Sequence, residues 1–174
     1  MPRVSSQEFF SLPDVSQSWF FDLIIPAIPG GGDNAALRTK VRATQLPTSD
    51  LEQIPVELAG IRKHEAGRAT YQSPTFTTKF LETIDYTTFQ ALRAWRDLAR
   101  SWKNNTGALS SNYKATLELD MYGADLVTIG QTVKFIGVFP TSLGAYDFSG
   151  MEAATIIDME VTWSFDYLSD GTTF

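Results

Sequence analysis

The sequence of 174 residues contains no cysteine and a single histidine. The absence of cysteine excludes disulfide scaffolds, thiolate metal sites and thiol catalysis. The histidine, His64, lies in the polar stretch 62–65 and has no second histidine with which to build a metal site. No G-x-S-x-G elbow supports a Ser-His-Asp triad around it. We therefore interpret His64 as a solvated loop residue and expect no catalytic residue, no metal site and no cofactor.

Basic charge and long apolar runs are also scarce. The chain carries 14 Lys and Arg against 20 Asp and Glu, a formal net charge of −6, whereas stable binding of a nucleic acid backbone requires a basic patch. The longest apolar runs, within residues 19–25, are far shorter than the roughly 20 residues that span a bilayer. The N-terminus lacks the charged and apolar regions of a secretory signal. We expect a soluble protein made in a cytoplasm, without membrane insertion.

Aromatic residues are abundant, at 13% of the chain, and such residues favour half-buried strands and broad interfaces. Residues 1–17 have mixed polarity and no sustained period, which predicts an N-terminal arm before a single domain over 18–174. Strand-like segments fall at residues 18–26, 39–46, 75–81, 114–121, 132–139 and 157–167. Their number and order predict a mainly β fold, a small antiparallel β-barrel or sandwich roll with one packed α-helix.

The predicted helix covers about residues 86–103, a run without Gly or Pro in which Asp85 is a plausible N-cap. Its apolar half includes Trp95 and Trp102, which would pack on the sheet. Its opposite half carries Arg93, Arg96 and Arg100. This basic face is short and lacks exposed aromatics, so we interpret it as a solvated face or one that meets an acidic partner rather than nucleic acid.

The segment at about 47–74 is too long for an ordinary connection and is expected to be functional or disordered. Pro55 confines its strand-like part to a sheet edge or a projecting hairpin. Gly60 and Gly67 bracket a polar stretch, 61–66, that resembles a hairpin tip. The segment also carries apolar residues that a solitary surface loop would not need: Leu51, Ile54, Val56, Leu58 and Ile61.

Two acidic pairs, Glu118/Asp120 and Asp158/Glu160, lie on the polar sides of predicted strands. Residues two apart on a strand point to the same side, roughly 6.6–7 Å apart, which falls within the range of inverting glycosidases. The aromatic residues of the last strand lie on the opposite, dry side. A solvated sheet face is therefore the preferred interpretation, and a two-carboxylate hydrolase the least favoured function.

This organisation resembles the tail tube proteins of bacteriophages with contractile tails, which share a fold with the inner-tube proteins of type VI secretion. The aromatic first strand after an arm, Trp19–Leu23, is one point of resemblance. Others are Arg42–Pro47 followed by the polar excursion to Gly67, and Pro74–Phe80 before the helix. The final strand at 157–167, with Asp158–Trp163 at its centre, resembles the closing strand of that family.

The resemblance implies a structural virion protein, not an enzyme, whose hexameric rings stack into a tube that conducts DNA during ejection. The implied partners are other copies of the chain, a tail sheath protein, a tape-measure protein and the baseplate, with DNA only in transit. A tube initiator in the baseplate and the tube of a non-contractile tail share the fold and remain alternatives. A stand-alone β-sandwich that binds carbohydrate or protein is the runner-up class.

The resemblance also assigns expected roles to the surfaces described above. The apolar residues of the segment 47–74 would form the contact between rings, and the arginines of the helix would face outward to the sheath. The channel would be lined by acidic residues that keep DNA from adsorbing, with these candidates: Glu118, Asp120, Asp158, Glu160 and Asp166.

Overall fold

The computed structural model describes residues 17–48, 50–58, 60–70, 74–146 and 156–169. The predicted arm, apart from its last residue, lies outside these ranges. Within them the chain forms nine strands and three helices: β1 (Phe21–Ile24), α1 (Asn34–Thr39), β2 (Val41–Thr44), β3 (Asp50–Leu58), β4 (Ile61–Thr70), β5 (Thr75–Leu81), α2 (Thr87–Ala99), α3 (Ser110–Tyr113), β6 (Ala115–Tyr122), β7 (Ile129–Leu143), β8 (Asp158–Ser164) and β9 (Tyr167–Ser169).

Seven strands form one antiparallel sheet in the order β1-β6-β7-β8-β5-β2, with β9 added beside β7. The predicted mainly β, antiparallel fold is therefore confirmed. The end strands β1 and β2 are not hydrogen-bonded to each other in this order, so the sheet is a roll rather than a closed barrel. Strands β3 and β4 form a separate two-stranded hairpin.

The long strand β7 joins the two halves of the roll. Its first part pairs with β6, and beyond Val138 it pairs with β8 instead. The change coincides with a bulge at Gly137, whose φ of +72° is strained for any residue with a side chain. A side chain at Gly137 would also collide with Asp166. The bend lets one continuous strand serve two sheet halves that face each other.

The core fills the space between these halves and beneath α2. Phe76 of β5 stacks on Phe135 of β7 with ring centroids 4.3 Å apart. Trp95 of α2 meets Trp163 of β8 edge to face at 5.3 Å, and its indole Nε1 donates to the carbonyl of Tyr113 at 2.6 Å. The alternation predicted for β8 is thus confirmed, because Met159, Val161 and Trp163 are all fully buried.

The helix differs from its prediction at both ends. Asp85 is not the cap: the N-cap position is Tyr86, in the left-handed region, and the Glu82 carboxylate accepts from the Phe89 amide at 3.1 Å. Glu82 also accepts from the Tyr146 hydroxyl at 2.6 Å, and burial together with Glu82 raises the pKa of Tyr146. A carboxylate outside the helix therefore satisfies an amide of its first turn.

At its C-terminal end, α2 stops at Ala99 rather than at residue 103. Arg100 is extended, and Gly107 returns so close to the Ala99 carbonyl that a side chain at Gly107 would collide with it. As a result Trp102, which was predicted to pack on the sheet, is exposed. The short helices α1 and α3 were not predicted; α1 begins after Asp33, whose side chain accepts from the Ala36 amide at 3.1 Å.

The predicted last strand is also divided. Strand β8 ends at Ser164, and β9 begins only at Tyr167. Between them the Asp166 amide donates to the carbonyl of Ile136 at 2.8 Å, which attaches the bend to β7. The alternation therefore fails at Tyr167, which was expected on the dry side and is half exposed.

Candidate assembly surfaces

The hairpin β3–β4 stands apart from the body of the protein. Every residue of β3 is exposed, and neither strand pairs with the seven-stranded sheet. The predicted tip at residues 61–66 is wrong, because these residues form the first part of β4. The turn lies instead at Gly60, which has a φ of +78°. His64 is accordingly a strand residue opposite Pro55, not a loop residue.

The two faces of the hairpin differ in chemistry. Cross-strand register places Leu58 opposite Ile61 and Val56 opposite Lys63, and these four residues surround one shallow depression. Alternation puts Ile54 on the same side. We call this side, formed by Ile54, Val56, Leu58, Ile61 and Lys63 with Glu65 opposite Ile54, the apolar face. Leu58 is 80% exposed and Ile61 75%, so the described part of the chain leaves this face largely bare.

The opposite face of the hairpin is polar. Glu57 is directly opposite Arg62 and forms an ion pair with it. Leu51 belongs to this side by alternation along β3, and it is separated from Gln53 by a bulge in the ladder. The five apolar residues singled out in the sequence therefore do not share one face: four do, and Leu51 does not.

The three arginines predicted to form a basic face do not all lie on the helix. Arg93 and Arg96 lie on α2, and both approach Asp97, with closest N–O distances of 3.8 and 2.9 Å. Arg100 lies beyond the end of the helix and donates from Nε to Asn105 Oδ1 at 2.7 Å. The outward surface of α2 therefore combines two arginines with one acid, rather than three arginines in a row.

Asp158 and Glu160 lie on the outer face of β8, as alternation predicts, but both carboxylates have basic partners. Asp158 is 3.0 Å from Arg42 of β2, and Glu160 is 3.6 Å from Lys79 of β5. Lys79 is the residue directly opposite Glu160 in the ladder. The outer face of this half of the roll therefore carries balanced charge rather than an excess of acid.

Two further candidates for the channel lining are also paired. Glu118 of β6 lies 2.7 Å from Lys134, its cross-strand partner on β7. Asp166 lies 2.7 Å from Lys114, but in the bend between β8 and β9 rather than on a strand face. These pairs could not be seen in the sequence, because each basic partner comes from a distant part of the chain.

Asp120 departs from the prediction of a solvated face. It is only 5% exposed and accepts from the Thr132 hydroxyl at 2.6 Å. Its cross-strand partner is Asp22, which pairs with Arg38 of α1. The hydrogen bond and charge of Asp22, with a smaller contribution from Asp120, raise the pKa of Arg38. Asp120 therefore belongs to a covered polar cluster on β1, β6 and α1.

An open groove of about 690 Å³ lies between the two end strands of the sheet. Its lining combines aromatic and aliphatic side chains with one cation, and includes Trp19, Phe21, Arg42, Leu46 and Met121. Among the described residues, the strands that border it, β1 and β2, each have one edge without a neighbouring strand. Such edges are templates for pairing with another chain.

The described ranges hold no group of three or more His, Cys, Asp or Glu residues that could bind a metal ion. Over the same residues, no helix is both long and apolar enough to cross a membrane. Four surfaces of the described residues are notable: the apolar face of the hairpin, the charged surface of α2, the sheet faces with balanced charge, and the groove between β1 and β2. All of them are suited to contacts with other proteins.

Comparison with known proteins agrees with this arrangement. The profile of the family described as phage tail tube protein matches residues 10–169. Tail tube protein gp19 of Enterobacteria phage T6 is 29% identical over 137 residues, which cover 78% of this chain and 82% of that protein.

Solved structures of contractile injection machines show the same fold. The sheath/tube terminator of the extracellular contractile injection system PVC, in its extended state, superposes with a TM-score of 0.66 at 16% identity, covering 91% of this chain and 98% of the other. The sheath-tube complex of that system, also extended, gives a TM-score of 0.62 at 16% identity and covers 97% of both chains.

The covered position of Asp120 leads to a stability prediction. Asp120→Lys should lower the free energy of unfolding by about 2 kcal/mol or more, because a longer side chain must enter a filled site close to Arg38. Glu160→Lys, at an exposed position, should change it by less than about 1 kcal/mol. Urea unfolding of both variants measures the difference. Equal effects would show that Asp120 is solvated like Glu160.

Proposed function

The chain belongs to the phage tail tube protein family, and from that premise we propose that its hexameric rings stack into a tube through which DNA passes during ejection. Membership of this family makes it a structural component of the virion tail. The proposed role is architectural and involves no catalysis. Its proposed partners are further copies of the chain, a tail sheath protein, a tape-measure protein and the baseplate.

The observation that carries this proposal is the isolated hairpin. A two-stranded hairpin in water is marginally stable by itself, and this one exposes four large aliphatic side chains on one face. Burying that face against a neighbouring copy would remove apolar surface from water and hold the hairpin in place. We propose that this contact connects successive rings.

Within a ring, the groove between β1 and β2 is the proposed contact between neighbouring subunits. Both strands offer an unpaired edge, and the groove between them presents exposed apolar side chains such as Trp19 and Leu46. Pairing of edges between neighbouring copies would satisfy the backbone groups of both strands. The sheets of a ring would then form a continuous wall around the channel.

The hairpin contact predicts that assembly depends on one face of the hairpin. Deleting residues 52–66 should leave a folded chain that forms no tubes. Leu58→Ser with Ile61→Ser should do the same, because only the apolar face is changed. Glu57→Ser with Arg62→Ser is the matched control on the polar face and should still form tubes. Electron microscopy of the purified proteins checks all three, and tubes of normal length from the deletion variant would contradict the proposal.

The identity of the channel lining can be tested with the ion pairs on the outer faces of β8 and β6. Neutralising an acid leaves its basic partner unpaired, so the face that lines the channel should then retain DNA at low salt and release it as salt rises. Asp158→Asn with Glu160→Gln tests the β8 face, where Arg42 and Lys79 would be freed. Glu118→Gln tests the β6 face, where Lys134 would be freed. DNA retained by purified tubes is measured against salt.

Only one of these two faces can line the channel, so each variant controls for the other. Retention by neither variant, with DNA able to enter the tubes, would show that these acids do not line the channel.

The sheath contact is proposed for the outward side of α2. Arg93→Glu with Arg96→Glu should weaken binding of a sheath protein in a salt-dependent way and leave tube formation unchanged. Arg100→Glu should have a smaller effect, because Arg100 lies beyond the end of the helix and outside the proposed contact. Co-sedimentation of sheath protein with preformed tubes measures the binding. Loss of tubes with intact sheath binding would place α2 between subunits instead.

A further inference from the structure

The hairpin and a second exposed apolar patch lie beyond opposite ends of the same sheet half. In the half formed by β2, β5 and β8, Thr75 pairs with Ser164 at one end and Leu81 with Asp158 at the other. The hairpin is inserted between β2 and β5 at the Thr75 end. The chain leaves the opposite end through residues 82–86.

The patch at that opposite end is formed by Ile84, Tyr86, Ile156 and Ile157, and we call it the isoleucine patch. Together with Glu82 and Thr83 these residues surround an open depression of about 300 Å³. Ile84 is 94% exposed and Ile156 67%. The core next to the patch is completed by Phe80 and Met159, which are fully buried, so Ile84 and Ile156 are not part of it.

Stacking of identical subunits imposes a relation between these two surfaces. When copies stack head to tail, the surface at one end of a subunit meets a different surface at the opposite end of the next one. A projecting apolar face at one end therefore requires an apolar acceptor at the other. The isoleucine patch lies past the end of the sheet half marked by Leu81 and Asp158, and it is an exposed apolar surface of the kind required.

The charges next to the two surfaces are complementary. Lys63 belongs to the apolar face of the hairpin, and among the described residues its ion pair is with Glu65 of the same strand and the same face, at an exposed position. Asp85 adjoins Ile84, is exposed, and forms no ion pair among the described residues. An exposed pair such as Lys63–Glu65 contributes little stability, so Lys63 can exchange Glu65 for Asp85 of a neighbouring copy.

We propose that the isoleucine patch of one subunit receives the apolar face of the hairpin from a subunit in the adjacent ring. Leu58 and Ile61 enter the depression beside Ile84 and Ile156, and Lys63 pairs with Asp85 at its rim. This assignment rests on the proposed stacking of rings and adds the surface that accepts the hairpin.

The absence of native cysteine permits a direct test by disulfide formation. A chain with Leu58→Cys and Ile84→Cys is assembled into tubes, confirmed by electron microscopy, and oxidised. Head-to-tail contact should convert monomers into a ladder of covalent multimers on a non-reducing gel. Two matched controls combine Leu58→Cys with Leu109→Cys or with Val127→Cys, which are also exposed, and should give no ladder.

The outcomes separate this inference from the proposed function. A parent chain that forms no stacked rings overturns the stacking proposal and this assignment with it. Intact tubes in which Leu58→Cys cross-links to position 109 or 127, or to none of the three, overturn the assignment alone.

A charge exchange tests the same contact without cysteine. Lys63→Glu and Asp85→Lys should each raise the protein concentration needed for tube formation roughly two- to fivefold, as expected for one exposed ion pair. The double variant should restore the parent value, because the pair is re-formed with reversed sign. A double variant whose fold-change equals the product of the two single fold-changes would overturn the assignment.

Discussion

The bend in β7 is the constraint on which the rest of the fold depends. One strand hydrogen-bonds to β6 in its first part and to β8 in its last part, and β9 pairs with residues 134–136 of the first part. Gly137 permits the bend because it has no side chain to oppose a positive φ or the close approach of Asp166. The two sheet halves can therefore face each other across Phe76 and Phe135, and α2 packs over the core so formed.

The same bend determines where the surfaces for assembly lie. It separates off the half formed by β2, β5 and β8, which has the hairpin beyond one end and the isoleucine patch beyond the other. It also leaves β1 and β2 as end strands with a groove between them. A roll that closed on itself would have no free edges, and lateral association would then require a different surface. Because the roll is not closed, β1 and β2 remain available for pairing with neighbouring subunits in a ring.

Short-range patterns allowed much of this to be predicted, whereas register and long-range contacts did not. Alternation placed Val161 and Trp163 in the core, and the charge and apolar pattern around Pro55 indicated a projecting hairpin. The pattern could not show that Asp120 is covered, because its hydrogen-bond partner Thr132 and its neighbour Asp22 come from other strands. It also could not show that Glu82 satisfies an amide of α2, or that Gly107 ends the helix early, because both depend on the path of the chain just outside the helix.

The exposed hairpin links folding of the subunit to assembly. Its strands are held mainly by their own ladder, and the described part of the subunit leaves its apolar face largely bare. Ordering such a segment costs conformational entropy that a two-stranded ladder barely offsets. In the proposed stacking, docking on a neighbouring subunit would supply the missing apolar burial, so the hairpin would be stabilised most where a ring is already present. Growth by addition to an existing end would then be favoured over association of free subunits, which is the behaviour that a tube of defined direction requires.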